Sequence, residues 1–473
     1  MLEHSLPIPA NDLETWLHEL PARPAVFALF GAQPSDGASA SEPYISKTAN
    51  LRRRMHRLLS PSSVAGKRLH LGGTAIQLDY SEVGSQFATS LLMLQAVRRY
   101  CGERVRRHLH LRPPALLRMA SDNPYPRVYV TNRVTQRALA STYGPFSSRV
   151  AAERFLDDSL NFFELRRCTE ELNPDPAFPG CVYSEMKMCL APCFKGCSDE
   201  RYAEEANRVR EFLSSRGELT IARLEKERDA DSTALDFEKA ARLHQQIQKM
   251  KTVSQQAAPL VHPLSELDAV IVQPAIAQAV SASPARPEKM SNRALRTDAT
   301  HVAIFLVRGG RILGPGFYSV EGMRHPNERA GSTSLFAHPT LLEPTPLEAP
   351  LSSDPTCEAK PAATKAARGK LEQRLQSVLD ELETQARSEK FSAEQLAEHL
   401  SLLARWYYRP ANRRIGEIFF REERPALDTG GETAFPLSRI LRGISRVFCG
   451  QKDVSEEAKH ADPLPPTGDL PGI

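Results

Sequence analysis

The sequence has no long hydrophobic run and no export signal. No apolar stretch approaches the roughly 20 residues that a membrane-spanning helix needs, so the chain is not expected to enter a membrane. Its first residues do not place a basic region before an apolar one, as a secretory signal would. We therefore expect a cytoplasmic protein that has no membrane partner.

Aromatic residues and net charge are also scarce. Aromatic residues make up 7% of the 473 residues, and the 36 prolines indicate loose segments between folded parts, so about two to four domains are expected. The net charge of +4 is too small to establish nucleic-acid binding from composition. Two local clusters of basic residues, at 52–57 and 98–112, would suit phosphates, although basic helix faces often only contact solvent.

Cysteine, by contrast, is concentrated in one stretch. Five of the eight cysteines lie between residues 168 and 197, and the first four of these are separated by 12, 7 and 3 residues. In a chain without a secretory signal, this clustering favours thiolates around a metal over a disulfide or buried free thiols. The spacing differs from the paired C-x2-C knuckles of common zinc sites and would suit an iron–sulfur cluster. Cys197 is the spare.

Hydrophobic periodicity predicts a multidomain protein of the α/β plus α class. Two strands, a helix, a strand and a second helix predict a small α/β module over residues 18–113. Residues 122–215 carry the cysteines and are expected to be largely helical. Residues 218–254 predict an antiparallel helical hairpin, whose small apolar stripe needs either a partner surface or its own chain to pack against.

The last part of the chain predicts a small α+β region over residues 262–425. Strands are expected at 267–272, 301–307 and 312–320, followed by helices at 371–390 and 393–408. Pro-rich and Ala-rich insertions are expected at 274–298 and 343–370, and a disordered tail at 452–473. Aromatic and basic residues between Trp406 and Arg414 would suit either stacking on DNA or a hydrophobic edge that seals the last helix.

Several of these segments resemble the bacterial UvrC excinuclease family. The run 143–146, read as a turn, the cysteines with Leu190, Ala191 and Pro192 between the last two, and Tyr202 resemble the middle of that family. Residues 235–243 are similar to its UVR motif, which docks on the UvrB helicase. The resemblance covers about residues 20–320 and implies DNA and UvrB as partners. The hairpin residues that the resemblance implies as contacts with UvrB are Phe237, Glu238, Ala241 and Leu243.

The resemblance also implies a metal ligand set. In that family four cysteines with this spacing hold an iron–sulfur cluster, expected to be of the 4Fe–4S type. The corresponding residues here are Cys168, Cys181, Cys189 and Cys193. Zinc in the same four thiolates remains the alternative, because four thiolates suit either metal centre.

The N-terminal module resembles a degenerate GIY-YIG nuclease. The family's second-motif tyrosine and its arginine correspond to Tyr44 and Arg54, and its first-motif tyrosine is replaced by Phe27. The implied DNA contacts are Lys47, Arg52 and Arg53. A nuclease of this kind needs a carboxylate for Mg²⁺, since hard cations bind oxygen ligands.

The carboxylate is the position at which this sequence departs from the family. The register of the second helix places Met93 where the family has its glutamate, and a thioether cannot hold Mg²⁺. A shifted register offers only the neutral Gln95, while Glu82 and Glu103 lie outside the helix. We therefore expect a nuclease fold without nuclease activity, and Mg²⁺ only if activity remains.

Three functional hypotheses follow. The first is a truncated UvrC paralogue in nucleotide excision repair that binds DNA and UvrB without cutting, since no RNase H-like acidic triad or helix-hairpin-helix pair is found between residues 371 and 473. The second is a residual single-incision endonuclease that uses Tyr44 and Arg54. The third is a DNA-binding protein that senses redox state through its iron–sulfur cluster.

Overall fold

The computed structural model describes most of the chain in eleven segments. They are residues 2–31, 42–60, 69–102, 105–120, 123–169, 172–276, 301–321, 323, 361–388, 391–421 and 434–460. Within them the protein is a mixed α/β structure with twelve α-helices and three four-stranded antiparallel sheets. This confirms the expected mixture of α/β and helical parts, whereas the division into domains stays a prediction.

The first sheet has the strand order β1-β4-β2-β3. Its strands and helices are β1 (His4–Pro7), α1 (Leu13–Glu19), β2 (Ala25–Gly31), β3 (Tyr44–Thr48), α2 (Leu51–Leu59), β4 (Ala75–Glu82), α3 (Gln86–Cys101) and α4 (Val105–Leu109). The predicted order of strand, strand, helix, strand and helix is confirmed from β2 to α3. Strand β1 and helix α1 were not predicted.

The central strand β2 is covered on both faces, which explains its nearly unbroken apolar sequence. Phe27 and Leu29 pack with α1 and α2, whereas Val26 packs with Ala96 of α3 on the other face. This alternation follows from the two-residue repeat of a strand. Asn50 and Ser85 cap α2 and α3, because each side chain accepts a hydrogen bond from the first helical turn.

The second sheet has the order β6-β5-β7-β8 and carries the helical part of the chain. Its elements are β5 (Ala115–Met119), β6 (Val128–Thr131), β7 (Thr142–Phe146), α5 (Arg149–Leu160), α6 (Val182–Glu185), α7 (Asp199–Ser214), α8 (Glu218–Thr233), α9 (Phe237–Ser254) and β8 (His262–Pro263). The turn predicted at 143–146 is wrong, because these residues form the fully buried strand β7. Strand β8 follows α9 and pairs with β7. The chain therefore returns to the second sheet after the hairpin of α8 and α9.

The third sheet has the order β11-β10-β9-β12. It consists of β9 (Ala269–Pro274), β10 (His301–Arg308), β11 (Arg311–Ser319) and β12 (Glu417–Phe420), with helices α10 (Pro361–Ser388), α11 (Ala393–Tyr407) and α12 (Leu437–His460). Helices α10 and α12 cover one face through Leu375 and Ile444. Helix α11 covers the other face together with α3 of the first module.

Helix α3 therefore packs against two sheets. Phe87 lies edge-on to Phe305 of β10, with ring centroids 5.1 Å apart. Arg98 forms an ion pair of 2.7 Å with Glu398 of α11, a residue that is 4% exposed. The ion pair joins residues 300 positions apart.

The predicted insertions and tail fall only partly on described residues. Of 274–298, residues 277–298 lie outside the described part, as do residues 343–360 of the second insertion. The predicted insertion is wrong over residues 361–370, which belong to α10, and the predicted disordered tail is wrong over residues 452–460, which belong to α12. The remaining tail, 461–473, lies outside the described residues.

Candidate metal centre, docking hairpin and nuclease-like pair

The four predicted cysteine ligands come from one irregular loop between α5 and α7. Cys168 lies in a segment without regular secondary structure, Cys181 is the N-cap of α6, and Cys193 lies in a short 3-10 helix, Pro192–Phe194. Cys189 precedes that helix. The loop thus approaches the site three times, which is how ligands spaced by 12 and 7 residues can converge.

The turn between the last two cysteines depends on Ala191. This residue adopts a left-handed conformation with φ of 59° and is 5% exposed, and its carbonyl accepts a hydrogen bond from Gly196 at 2.9 Å. Its own N–H points at the Cys189 sulfur, 3.3 Å away. The three residues between the cysteines therefore set the turn and also supply a donor to a ligand sulfur.

The four thiols are close enough to influence one another electrostatically. Burial raises the pKa of Cys189 to about 11. The Ala191 N–H lowers this pKa, and nearby Cys168, Cys181 and Cys193 raise it. The pKa of Cys193 is likewise raised by burial and then by Cys181. For Cys197 the pKa is raised by burial and by Asp199 instead, so the spare cysteine stands outside this set.

The chemistry of the donor set fits a soft metal centre. Four thiols that influence one another's pKa lie in one loop, and once deprotonated they suit either a tetrahedral Zn²⁺ or an iron–sulfur cluster.

A buried arginine contacts the first cysteine of the loop. Arg166 is 4% exposed, its Nε donates to the carbonyl of Tyr125 at 2.8 Å, and its Nη1 lies 3.8 Å from the Cys168 sulfur. Its backbone N–H donates to the hydroxyl of Tyr202, which in turn donates to the carbonyl of Pro126. A positive charge and N–H donors beside ligand sulfurs stabilise thiolates.

The helical hairpin divides into a buried stem and an exposed tip. In the stem, Ile247 and Met250 of α9 are buried in the core of the second sheet. At the tip, Leu235 and Phe237 are 72% and 64% exposed. Among the other residues assigned to UvrB, Glu238 and Ala241 are exposed and Leu243 is half-buried.

Leu235 is a candidate contact that the sequence did not single out. It belongs to the motif, but it lies in the turn with φ of 65° and presents its side chain to solvent. An apolar residue in a helical turn, followed by the Asp236 cap of α9, is a signal that could have identified it. The exposed apolar surface of the tip therefore comprises two large side chains.

The two nuclease residues that the sequence predicted are in contact. Arg54 on α2 donates from Nη2 to the hydroxyl of Tyr44 on β3 at 2.9 Å. Phe27 is fully buried, with its ring centroid 6.1 Å from that of Tyr44. The pair thus sits at the edge strand of the first sheet, with the phenylalanine as its support.

No carboxylate in the described part of the chain pairs with Tyr44 or Arg54. Met93 is partly buried and packs against the cluster of Val26, Val83 and Ala96 on the α3 side of the sheet, which is the position of a core residue. Gln95 is exposed, Glu82 pairs with Arg23 at 3.2 Å, and Glu103 lies outside the described residues.

The three implied DNA contacts differ in exposure. Lys47 on β3 and Arg53 on α2 are exposed. Arg52 is half-buried, and its Nε donates to the carbonyl of Leu20 at 2.8 Å, which ties α2 to the end of α1. Lys47 and Arg53 are therefore the better placed of the three to meet a phosphate.

The aromatic and basic stretch near the end of α11 faces inward. Trp406 is 4% exposed and donates to the carbonyl of Ile415 at 3.1 Å, and the hydroxyl of Tyr408 donates to the carbonyl of Pro145 at 2.9 Å. These contacts agree with the second alternative, a hydrophobic edge that seals α11. Trp406 is buried and is not available to stack on a base.

Comparisons with known proteins place this chain beside excision-repair proteins. The family described as "UvrC/Cho excinuclease, middle domain" matches residues 115–212. The UvrABC system protein C of Aliivibrio salmonicida is 26% identical over 259 residues, 53% of this chain and 40% of the relative. That of Ruminiclostridium cellulolyticum is 24% identical over 353 residues, 72% of this chain and 52% of the relative.

The chain spans about two fifths to one half of the length of these curated relatives. No solved structure matches it. None of the described helices has the length and apolar character needed to cross a bilayer.

Proposed function

The chain is a UvrC-family protein, matched through its middle domain, and on this premise we propose that it acts in nucleotide excision repair by binding UvrB and DNA without cutting. The observation that carries the proposal is the hairpin. Its stem is fixed in the core beside the cysteine loop, while its tip exposes Leu235 and Phe237. Exposed large apolar side chains on a rigid support are typical of protein-binding surfaces.

The cysteine loop is the second part of the proposal. Cys168, Cys181, Cys189 and Cys193 would hold an iron–sulfur cluster of the 4Fe–4S type, with Arg166 and the Ala191 N–H beside the sulfurs. Such a cluster would fix the loop between α5 and α7, and so the base from which the hairpin projects. Zinc in the same thiolates is the alternative, because four thiolates suit either metal centre.

Pull-down with UvrB tests the partner. Phe237→Ala removes the exposed ring at the tip. Truncation of an aromatic anchor commonly costs about 2 kcal/mol, so the affinity for UvrB should fall about thirtyfold. Leu219→Ala is the matched control, since Leu219 is 57% exposed on the same hairpin but at its base. Equal retention of wild type and Phe237→Ala would refute the docking proposal.

A residual endonuclease is the second candidate, because Tyr44 and Arg54 keep the contact that phosphate chemistry would use. A lesion-bearing duplex incubated with UvrB and Mg²⁺ or Mn²⁺ decides between the two. We expect no nick above that of a Tyr44→Phe variant, since hydrolysis at neutral pH needs a carboxylate-held cation to activate water. Nicking that depends on Tyr44 would favour the nuclease.

A further inference from the structure

A second group of metal-binding side chains lies away from the cysteine loop, at the carboxyl end of α3. Glu42, Cys101 and His108 bring one ligand atom each to within 4.8 Å of the other two. Nε2 of His108 lies 4.0 Å from Oε2 of Glu42. The three residues come from three segments that are distant in sequence from the cysteine loop.

The local backbone explains how these side chains meet. Cys101 is the last residue of α3, and Gly102 ends the helix with φ of 57°. Glycine adopts this positive φ without steric strain, and α4 packs against α3 so that His108 comes close to Cys101. Glu42 lies two residues before Tyr44, where the chain enters β3.

The ligand types determine which ion would fit. A thiolate is a poor ligand for Mg²⁺ or Ca²⁺, whereas one sulfur, one imidazole nitrogen and one carboxylate oxygen suit a zinc-like divalent ion. Three protein ligands leave the fourth tetrahedral position to water. The exposures fit this arrangement, because Cys101 is 7% exposed while the side chains of Glu42 and His108 are both 40% exposed.

We propose that Glu42, Cys101 and His108 bind a Zn²⁺-like transition-metal ion that is distinct from the centre in the cysteine loop. The ion joins the segment before β3 to the ends of α3 and α4. It thereby fixes the edge strand that carries Tyr44, whatever the module does with DNA. This site does not depend on the function proposed above.

Cobalt binding to the full-length protein, purified anaerobically, tests the proposal. Co²⁺ takes zinc sites and gives a thiolate charge-transfer band in the near ultraviolet. Subtracting the Cys101→Ser spectrum from that of wild type cancels the absorbance of any metal held by the cysteine loop, because that loop is unchanged in the variant. Cys449→Ser is the matched control, because it removes a thiol on α12.

After subtraction of the Cys101→Ser spectrum, we expect one equivalent of Co²⁺ with single-thiolate intensity in wild type and in Cys449→Ser. His108→Ala and Glu42→Gln should weaken binding at least tenfold, since even the loss of a group that only orients a ligand costs about 10- to 100-fold. These two positions are partly exposed, so their variants report on binding even if Cys101→Ser folds poorly. Unchanged Co²⁺ binding in His108→Ala and Glu42→Gln, or no binding by wild type, would overturn the site.

Discussion

Arg166 shows how a single residue can organise a site that the sequence alone only outlines. Its guanidinium is buried between the Tyr125 carbonyl and the Cys168 sulfur. A buried charge is stable only when its donors are satisfied. The sequence places Arg166 two positions before Cys168, but nothing in that spacing shows that the side chain turns back beneath the loop. The contact depends on Tyr125, which lies 41 residues earlier.

A half-buried histidine, His262, and a buried one, His399, give the stability of the protein a defined pH dependence. Burial, followed by the charge of Arg216, lowers the pKa of His262 to about 4, and burial, followed by Arg311 and Arg98, lowers the pKa of His399 to about 3. An unfolded histidine has a pKa of about 6.5. The unfolded chain therefore binds more protons below that pH, so stability is full above pH 6.5 and falls as the pH decreases toward the folded pKa values.

Urea denaturation between pH 7 and pH 5 measures this effect above the range in which carboxylates titrate. The free energy of unfolding should decrease by about 1 to 2 kcal/mol per histidine across this window, at about 1.4 kcal/mol for each pKa unit. His262→Gln keeps a donor for the Pro259 carbonyl and should flatten the slope. A variant with the wild-type slope would show that His262 is not held neutral by the fold.

At the scale of elements, the hairpin resolves an ambiguity that the sequence left open. The apolar stripe of α9 was expected to need either a partner or its own chain. The lower half, with Ile247 and Met250, packs on its own chain, and the upper end, with Phe237, is exposed. Helical periodicity showed one stripe, and only the packing of the stem against the second sheet shows where the stripe leaves the core.

Two alanine substitutions in α9 should therefore change the free energy of unfolding by very different amounts. Ile247→Ala removes a fully buried side chain and should lower the free energy of unfolding by about 2 to 4 kcal/mol. Phe237→Ala should change it by less than about 0.5 kcal/mol, because the ring is already in solvent. Urea denaturation of the two variants checks both values, and a large loss of stability in Phe237→Ala would mean that the tip is packed.

For the whole molecule, the sequence predicted the well-patterned elements and missed those defined by pairing. Strands β2, β3 and β10 and helices α3, α7 and α9 were predicted, because each has a clear apolar repeat or a capping residue. Strand β1 has four largely exposed residues, and its pairing with β4 defines it as a strand. Residues 143–146 contain Gly-Pro, which favours a turn, yet neighbouring β5 and β8 hold them as β7.

The residues of the candidate sites divide in the same way. Tyr44 and Arg54 could be predicted through the family's spacing, and so could the four cysteines. Glu42, Cys101 and His108 could not, because their convergence depends on the packing of α4 against α3. The sealing role of Trp406 depends on α11 packing against the third sheet, and no local pattern distinguishes that role from a stacking surface.

The ion pair between Arg98 and Glu398 links the first module to the third sheet. Arg98→Met removes the ion pair of 2.7 Å from the Glu398 carboxylate, which is 4% exposed, and should destabilise the protein by about 3 kcal/mol. The double variant Arg98→Met/Glu398→Leu should recover part of this loss, because no uncompensated charge remains.

Tryptophan fluorescence during urea denaturation measures this coupling. The chain has two tryptophans, Trp16 on α1 and Trp406 on α11, so single Trp→Phe variants report on each end separately. We expect one shared midpoint that shifts equally at both probes. Two separate midpoints, with Arg98→Met moving only one, would show that the modules unfold independently.

The proposed docking on UvrB at a lesion without incision is tested most directly on the assembled complex. A lesion-bearing duplex loaded with UvrB is titrated with the protein and run on a native gel, and the recovered DNA is run on a denaturing gel. We predict a further mobility shift with both strands intact, lost in Phe237→Ala and kept in Leu219→Ala. No shift with wild type, a shift indifferent to Phe237, or a nicked strand that depends on Tyr44 would contradict the claim.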